Sequence, residues 1–254
     1  MTQSTSSPAR GGWRRRQALL LPAALVVAAA SPPPVEPPGA QGIRAGSTDA
    51  AAQDAAVDLL LVLAIDASGS IDGDEFRLQR EGCAGALVHP SVLNAITSGA
   101  LGAIGVAMVE WGAPGGAATV VGWHRVGGAA SAERLAEAVM TAPRSPQSWN
   151  AIGDAVDHAV GLIAAAPWRA AERVIDVSGD GPDMRGLRPV QDASRDAAAQ
   201  GITVNALAIE NNRPGLGDTY RATVIAGDGA FVMTAESRAD FARALRAKLV
   251  REIA

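Results

Sequence analysis

Two residue types that often build reactive or metal-binding sites are scarce in this chain of 254 residues. It contains one cysteine, Cys83, and three histidines. A lone cysteine excludes an intrachain disulfide, and the apolar neighbours of Cys83 predict a small buried side chain rather than a nucleophile. His89 and His124 lack the spacing of metal ligands and are predicted to be structural, while His158 is expected at the surface.

Basic residues are also few. Lysine occurs once, at Lys248, so that arginine supplies almost every positive charge, and the net charge is −4. The first 30 residues hold four arginines and no acidic residue, so the remainder has 18 basic and 26 acidic residues, a net charge of −8. An acidic chain without a basic stripe argues against nucleic acid as a partner.

The N-terminus has the pattern of an export signal. Residues 1–30 combine arginines, an apolar stretch from Ala18 to Ala30 and small residues at its end, which predicts a signal peptide and a periplasmic or secreted protein. The stretch is short for a membrane span, and an uncleaved anchor is the alternative; Arg15-Arg16 leaves both the general secretory and the twin-arginine routes open. Residues 31–56 are rich in proline and are predicted to be a disordered linker. The folded domain is then expected over residues 57–254.

Within that domain, apolar runs alternate with helical patterns. This alternation predicts an α/β fold, a doubly wound and mostly parallel sheet flanked by helices, with functional residues at the carboxyl ends of the strands. The predicted strands are 59–65, 101–111, 118–124, 172–177, 202–209 and 230–234. The predicted helices are 74–88, 131–141 with Ser131 as N-cap, 150–166, 189–200 and 237–251.

The most informative motif follows the first strand. Asp66, Ser68 and Ser70 stand at alternate positions after the apolar run 59–65. One carboxylate and two hydroxyls are oxygen ligands of the kind that Mg²⁺ takes, and Gly69 allows the backbone to fold tightly around an ion. A plain helix-capping loop is the competing interpretation.

The wider pattern resembles a von Willebrand factor type A (vWA) domain. The resemblance rests on Asp66-x-Ser68-x-Ser70 after a strand and on a second acidic loop, Val177-Ser178-Gly179-Asp180-Gly181, after another strand. It extends over residues 57–252 and is greatest for a bacterial exported subfamily with no assigned function. The resemblance implies a vWA fold with a metal-ion-dependent adhesion site (MIDAS).

The resemblance also implies the members of that site. Asp66, Ser68 and Ser70 match its first loop and Asp180 its third. The second loop has Asn150 where the family has threonine, so that Asn150 is expected either as a ligand or as a helix N-cap, with Ser148 as a substitute ligand. The ion would be Mg²⁺, or Mn²⁺ or Ca²⁺.

The rim of this site is expected to include Trp149 and Asp72. The implied function is metal-dependent binding of an unidentified protein partner through a partner carboxylate, with no catalysis and no small-molecule substrate.

Two alternatives stay open. Asp66 and the later Gly179-Asp180-Gly181 also imitate motifs of haloacid-dehalogenase-type aspartate phosphatases. That chemistry needs a second carboxylate where Ser68 stands, and a cation between the motifs, for which Arg169 or Arg173 would have to serve because Lys248 follows both. The other alternative is a degenerate vWA site that binds its partner without metal.

Overall fold

The computed structural model describes residues 56–211 and 213–254. The predicted signal peptide and the predicted linker up to residue 55 lie outside these residues, and Ala56 is the first residue of a strand. None of the helices in the described ranges is both long and apolar enough to cross a membrane.

The described residues form one six-stranded sheet with the order β3-β2-β1-β4-β5-β6. Its strands are β1 (Ala56–Asp66), β2 (Ile104–Trp111), β3 (Ala118–Val126), β4 (Arg169–Gly179), β5 (Thr203–Ile209) and β6 (Val232–Ala235). β3 runs antiparallel to β2, and every other neighbouring pair is parallel. The predicted fold class, a doubly wound and mostly parallel sheet, is confirmed.

Seven α-helices cover both faces of the sheet over the described residues. They are α1 (Gly73–Leu87), α2 (Pro90–Thr97), α3 (Ala129–Thr141), α4 (Ile152–Ala164), α5 (Val190–Ala199), α6 (Leu216–Thr223) and α7 (Phe241–Ile253). β1 explains the two layers, because its side chains alternate between two apolar clusters. Leu61 and Leu63 pack with the face that carries α1, α3 and α7, whereas Val62 and Ala64 pack with α4, α5 and α6.

Three local features differ from the sequence-based expectation. α2 was not predicted; it begins at Pro90, where the missing N–H costs nothing, and the His89 ring accepts from Ser91 N–H at 3.2 Å. α6 was not predicted at all. Ser131 is not an N-cap, since α3 begins at Ala129 and the Ser131 hydroxyl instead donates to Gly128 O at 2.8 Å.

The only lysine of the chain lies in a buried polar cluster beneath α7. Lys248 Nζ is 2.7 Å from Asp176 Oδ1 on β4 and also pairs with Glu252, and all three side chains are fully buried. Asn205 on β5 donates to Glu252 Oε1 at 2.8 Å. Burial, followed by the neighbouring charge of Asp176, raises the pKa of Glu252 to about 7. This cluster fastens the last helix to the centre of the sheet.

The raised pKa of Glu252 predicts a pH-dependent stability. The folded protein binds the proton of the Glu252 carboxyl more tightly than the unfolded chain does. The stability that this proton contributes is therefore complete below the pKa of Glu252 in the unfolded chain, and it is lost as the pH rises through about 7. Between pH 5 and 8 the free energy of unfolding should therefore fall more steeply for the wild type than for Glu252→Gln. Urea denaturation at a series of pH values measures both slopes, and equal slopes would contradict the prediction.

Candidate metal site at the carboxyl edge of the sheet

The candidate site begins where β1 and β4 end side by side. The two strands pair in parallel with Ile65 opposite Ser178, which brings Asp66 next to the end of β4 and to Asp180 just beyond it. The Asp180 N–H is 3.5 Å from Asp66 Oδ2. The chain passes from β1 towards β2 on one side and returns to β4 on the other, so the junction is the topological switch point at which ligands of such sheets bind.

Asp66 is fully buried and its carboxylate faces few donors. Its Oδ1 accepts from Ser68 N–H at 2.8 Å, and the Ser68 hydroxyl lies 3.1 Å from that of Ser70, which is at the surface. Burial, and then the charge of Asp180, raises the pKa of Asp66 to about 7, while hydrogen bonds from Ser68 oppose the shift. In the described residues no positively charged side chain pairs directly with Asp66, so its negative charge is poorly compensated.

Asn150 supplies a second buried oxygen. The residue is 7% exposed, and its Oδ1 has no hydrogen-bond partner among the described residues. Its Nδ2 packs over Gly181, where an added Cβ would lie only 2.4 Å away. The N-cap of α4 is Ala151, without a side-chain cap, so the N-cap alternative for Asn150 is wrong.

Asp183 does the capping that was assigned to Asn150. Its Oδ1 accepts from Ile152 N–H at 2.8 Å and from Gly153 N–H at 3.3 Å, and its Oδ2 accepts from Val190 N–H at 3.1 Å. One carboxylate therefore satisfies the first turns of both α4 and α5. As a result, the amide of Asn150 remains available to a ligand.

The segment that carries Ser148 and Asn150 is fixed by a buried acid. Glu110 on β2 lies 2.5 Å from Arg80 Nη2, and its other oxygen accepts from both the N–H and the hydroxyl of Ser145 at 2.7 Å. Gln147 adds a bond from Ala113 N–H at 2.8 Å. These contacts attach the second loop, which connects α3 to α4, to the carboxyl end of β2.

The first and second loops touch directly through their backbones. Gly69 N–H donates to Ser148 O at 2.9 Å, and an added Cβ on Gly69 would lie 3.1 Å from that oxygen. Arg144 crosses between the loops and donates to Ile71 O at 2.8 Å and Ala67 O at 3.2 Å. Ser148 is exposed, and its structural contact is made by the carbonyl rather than the hydroxyl.

Asp180 is engaged by a cation that sequence reasoning missed. Arg238, which is 9% exposed, places Nη2 2.5 Å from Asp180 Oδ2 and Nε 2.7 Å from Glu75 Oε1. Arg238 follows β6 in the sequence, and no local motif links it to the site. Arg238 neutralises the charge of Asp180. Asp180 is therefore better suited to contact a metal ion through a water molecule than to coordinate it directly.

The two predicted rim residues are both exposed, but they make different contacts. Asp72 is exposed and caps α1, because Asp72 Oδ1 accepts from Asp74 N–H at 2.9 Å and Glu75 N–H at 2.8 Å. Trp149 is 44% exposed and stacks under the guanidinium of Arg185 at 4.1 Å from the ring centroid. Trp149 is thus at the surface of the second loop, and its role at a binding rim stays a prediction.

The donors present fit a hard divalent cation better than a soft one. Asp66, Ser68, Ser70 and Asn150 all offer oxygen, the ligand that Mg²⁺ and Ca²⁺ prefer. In the described ranges no group of three or more histidine, cysteine, aspartate or glutamate side chains is arranged to hold a metal ion, so a site here depends on hydroxyl and amide oxygens.

The cations proposed for a phosphatase are in the wrong place. Arg169 is the first residue of β4, ten residues and about 33 Å of extended strand from its carboxyl end. Arg173 lies against Gly201, at the same amino-terminal edge. Lys248 is buried in the cluster beneath α7. None of the three can reach Asp66, and Ser68 occupies the place of the second carboxylate that this chemistry uses.

Solved structures share this fold at low sequence identity. They include proximal thread matrix protein 1 (PTMP1) from the mussel byssus (TM-score 0.57, 15% identity, 78% of this chain, 47% of that one). A vWA protein from Catenulispora acidiphila matches at 0.56 and 19%, over 78% of this chain and 43% of the other. The vWF domain of the pilus tip protein Mfa5 from Porphyromonas gingivalis matches at 0.54 and 12%, over 78% and 95%. One PTMP1 structure is described as having a zinc-occupied MIDAS motif (TM-score 0.56, 15% identity, 78% and 46%).

The matched region spans less than half of the PTMP1 and Catenulispora chains. No protein with a curated description matches this sequence. A family model matches residues 56–254, the whole sheet and its helices. The chain therefore has the fold of a vWA domain and belongs to the family described as Protein of unknown function (DUF1194).

Proposed function

We propose that this protein is exported and binds a protein partner through a divalent cation held at the junction of β1 and β4. Asp66, Ser68 and Ser70 would hold the ion together with Asn150, and Asp180 would assist from an outer position. Mg²⁺ is the expected ion, with Mn²⁺ or Ca²⁺ as substitutes. The ion would neutralise Asp66 and polarise a partner carboxylate at an open coordination position.

One observation carries the proposal. Asp66 is a fully buried carboxylate without a pairing cation, and the oxygen of Asn150 is buried without a donor among the described residues. Two such groups at one sheet edge are costly unless something positively charged binds them. The mussel protein with a zinc-occupied MIDAS motif supports a divalent ion as that ligand.

Adhesion and export are supported by what the similar structures are. They include a pilus adhesin from Lactobacillus rhamnosus GG, a pilus tip protein and a byssus matrix protein. The export signal predicted for residues 1–30 agrees with such locations. Partner binding without metal remains a second candidate, because Arg238 already neutralises Asp180.

Removal of the buried carboxylate should abolish metal binding without unfolding the domain. Asp66→Asn keeps an oxygen that accepts from Ser68 N–H but removes the charge, so saturable binding of Mg²⁺ or Mn²⁺ at millimolar concentration should disappear. In chelator the variant should melt no lower than the wild type, because an unpaired buried charge has been removed. Calorimetric titration and thermal melting measure the two effects.

Asp72→Asn is the matched control, since asparagine caps helices as well as aspartate does and Asp72 is exposed. It should bind the ion as the wild type does. Equal ion affinity in the wild type and Asp66→Asn would refute the metal site.

Asn150 should matter more than Ser148. Asn150→Ala removes a buried oxygen and is expected to weaken ion binding roughly 10- to 100-fold, whereas Asn150→Thr retains a ligating oxygen and should preserve most of the affinity. Ser148→Ala should leave the affinity unchanged, because its structural contact is made by the carbonyl. The reverse order of effects in the same titration would identify Ser148 as the ligand.

A further inference from the structure

A second recognition element adjoins the candidate metal site. The loop between β4 and α5, residues 180–189, exposes Met184 (41%) and Leu187 (79%), and Trp149 (44%) lies beside it. Three of the six large apolar side chains that are well exposed in the described ranges thus belong to one region of the surface. Such clustering marks a binding surface more often than scattered exposed residues do.

Hydrogen bonds to the neighbouring helices and to the second loop hold this loop in place. Asp183 bonds to the first turns of α4 and α5, Asp154 accepts from Leu187 N–H at 2.8 Å, and Met184 N–H donates to Asn150 O at 2.6 Å. A surface fixed in this way loses little conformational entropy when a partner binds. The bond to Asn150 also ties the loop to a candidate metal ligand.

Arg185 occupies an unusual conformation at the tip of the loop. Its φ of +62° is the only positive value for a non-glycine residue among the described residues. An L-residue is strained in this conformation, and such strained residues cluster at functional sites. Here it points the guanidinium over the ring of Trp149, at 4.1 Å from the centroid.

The guanidinium of Arg185 has no acidic partner among the described residues. Within the described ranges, Arg185 makes no salt bridge and no side-chain hydrogen bond, unlike Arg188 three residues later, which pairs with Asp157 at 3.0 Å and Asp196 at 2.9 Å. Arg185 therefore presents a planar set of donors that suits a carboxylate, oriented by an aromatic ring. Because the rest of the chain is acidic, this cation and a bound ion would be local attractions for an acidic partner.

Building on the proposed function, we propose that Trp149, Met184 and Arg185 form a specificity subsite that selects the protein segment bound by the ion. The segment carries one carboxylate for the ion, a second carboxylate for Arg185, and an aliphatic or aromatic side chain that packs on Trp149 and Met184. The metal site and the subsite are close together. Trp149 stands in the sequence between Ser148, whose carbonyl accepts from Gly69 N–H of the first loop, and Asn150, a candidate metal ligand.

The test is selection from a phage-displayed library of random 12-residue peptides on the full protein with Mg²⁺. Peptides enriched on the wild type should contain two acidic residues and an apolar one. Arg185→Asn, which tolerates the left-handed backbone, should lose the preference for the second acid while the first persists. Trp149→Ala and Met184→Ala should lose the apolar preference.

The affinity of a selected peptide gives the quantitative readout. Arg185→Asn, Trp149→Ala and Met184→Ala should each weaken it about tenfold, with melting temperatures close to the wild type. Met140→Ala is the matched control, because Met140 is equally exposed (45%) but lies on α3, and it should have no effect.

The two proposals fail in different ways. Enrichment that depends on Mg²⁺ and on Asp66 but is unchanged by all three subsite variants would overturn the subsite alone. Enrichment that persists in chelator and is lost in Arg185→Asn would support the subsite and overturn the metal. A variant that combines Asp66→Asn with the three subsite substitutions serves as the background. If peptides are enriched on the wild type no more than on this variant, both proposals are overturned.

Discussion

The parallel pairing of β1 with β4 is the constraint on which the site depends. Its register places Ile65 opposite Ser178, so that Asp66 and Asp180 reach the same edge although 113 residues separate them in the sequence. The strands are buried on both faces by Leu63, Val62 and their neighbours, which makes a shift of register costly. The hydrophobic core therefore determines the geometry of the polar edge.

The acidic residues near this edge divide by whether their charge is compensated. Glu110 pairs with Arg80, Asp180 pairs with Arg238, and Asp183 accepts from three backbone N–H groups. These three hold the loops in place. Asp66 has neither a cation nor a complete set of donors, although it is as buried as Glu110. This contrast distinguishes the proposed ligand from the scaffold without reference to any motif.

The same reasoning links the ion to the neighbouring surface. Because Asp183 caps two helices, Asn150 is released from capping and the loop that carries Arg185 is fixed at its start. A single backbone bond from Met184 to Asn150 then joins the proposed metal site and the subsite around Trp149. Partner binding would use both as one rigid face, with the ion supplying strength and the subsite supplying selectivity.

The sequence by itself determined the α/β sheet, most strand positions and the pentapeptide around Asp66, because these depend on local hydrophobic periodicity and short-range motifs. It also indicated that Cys83 is buried, as the structure has it. Only the tertiary structure showed that Asp183 rather than Asn150 caps α4, that Arg238 neutralises Asp180, and that Arg185 stacks on Trp149. Each of these contacts joins residues at least 30 positions apart, and such pairings follow from how the strands and helices assemble rather than from any local pattern.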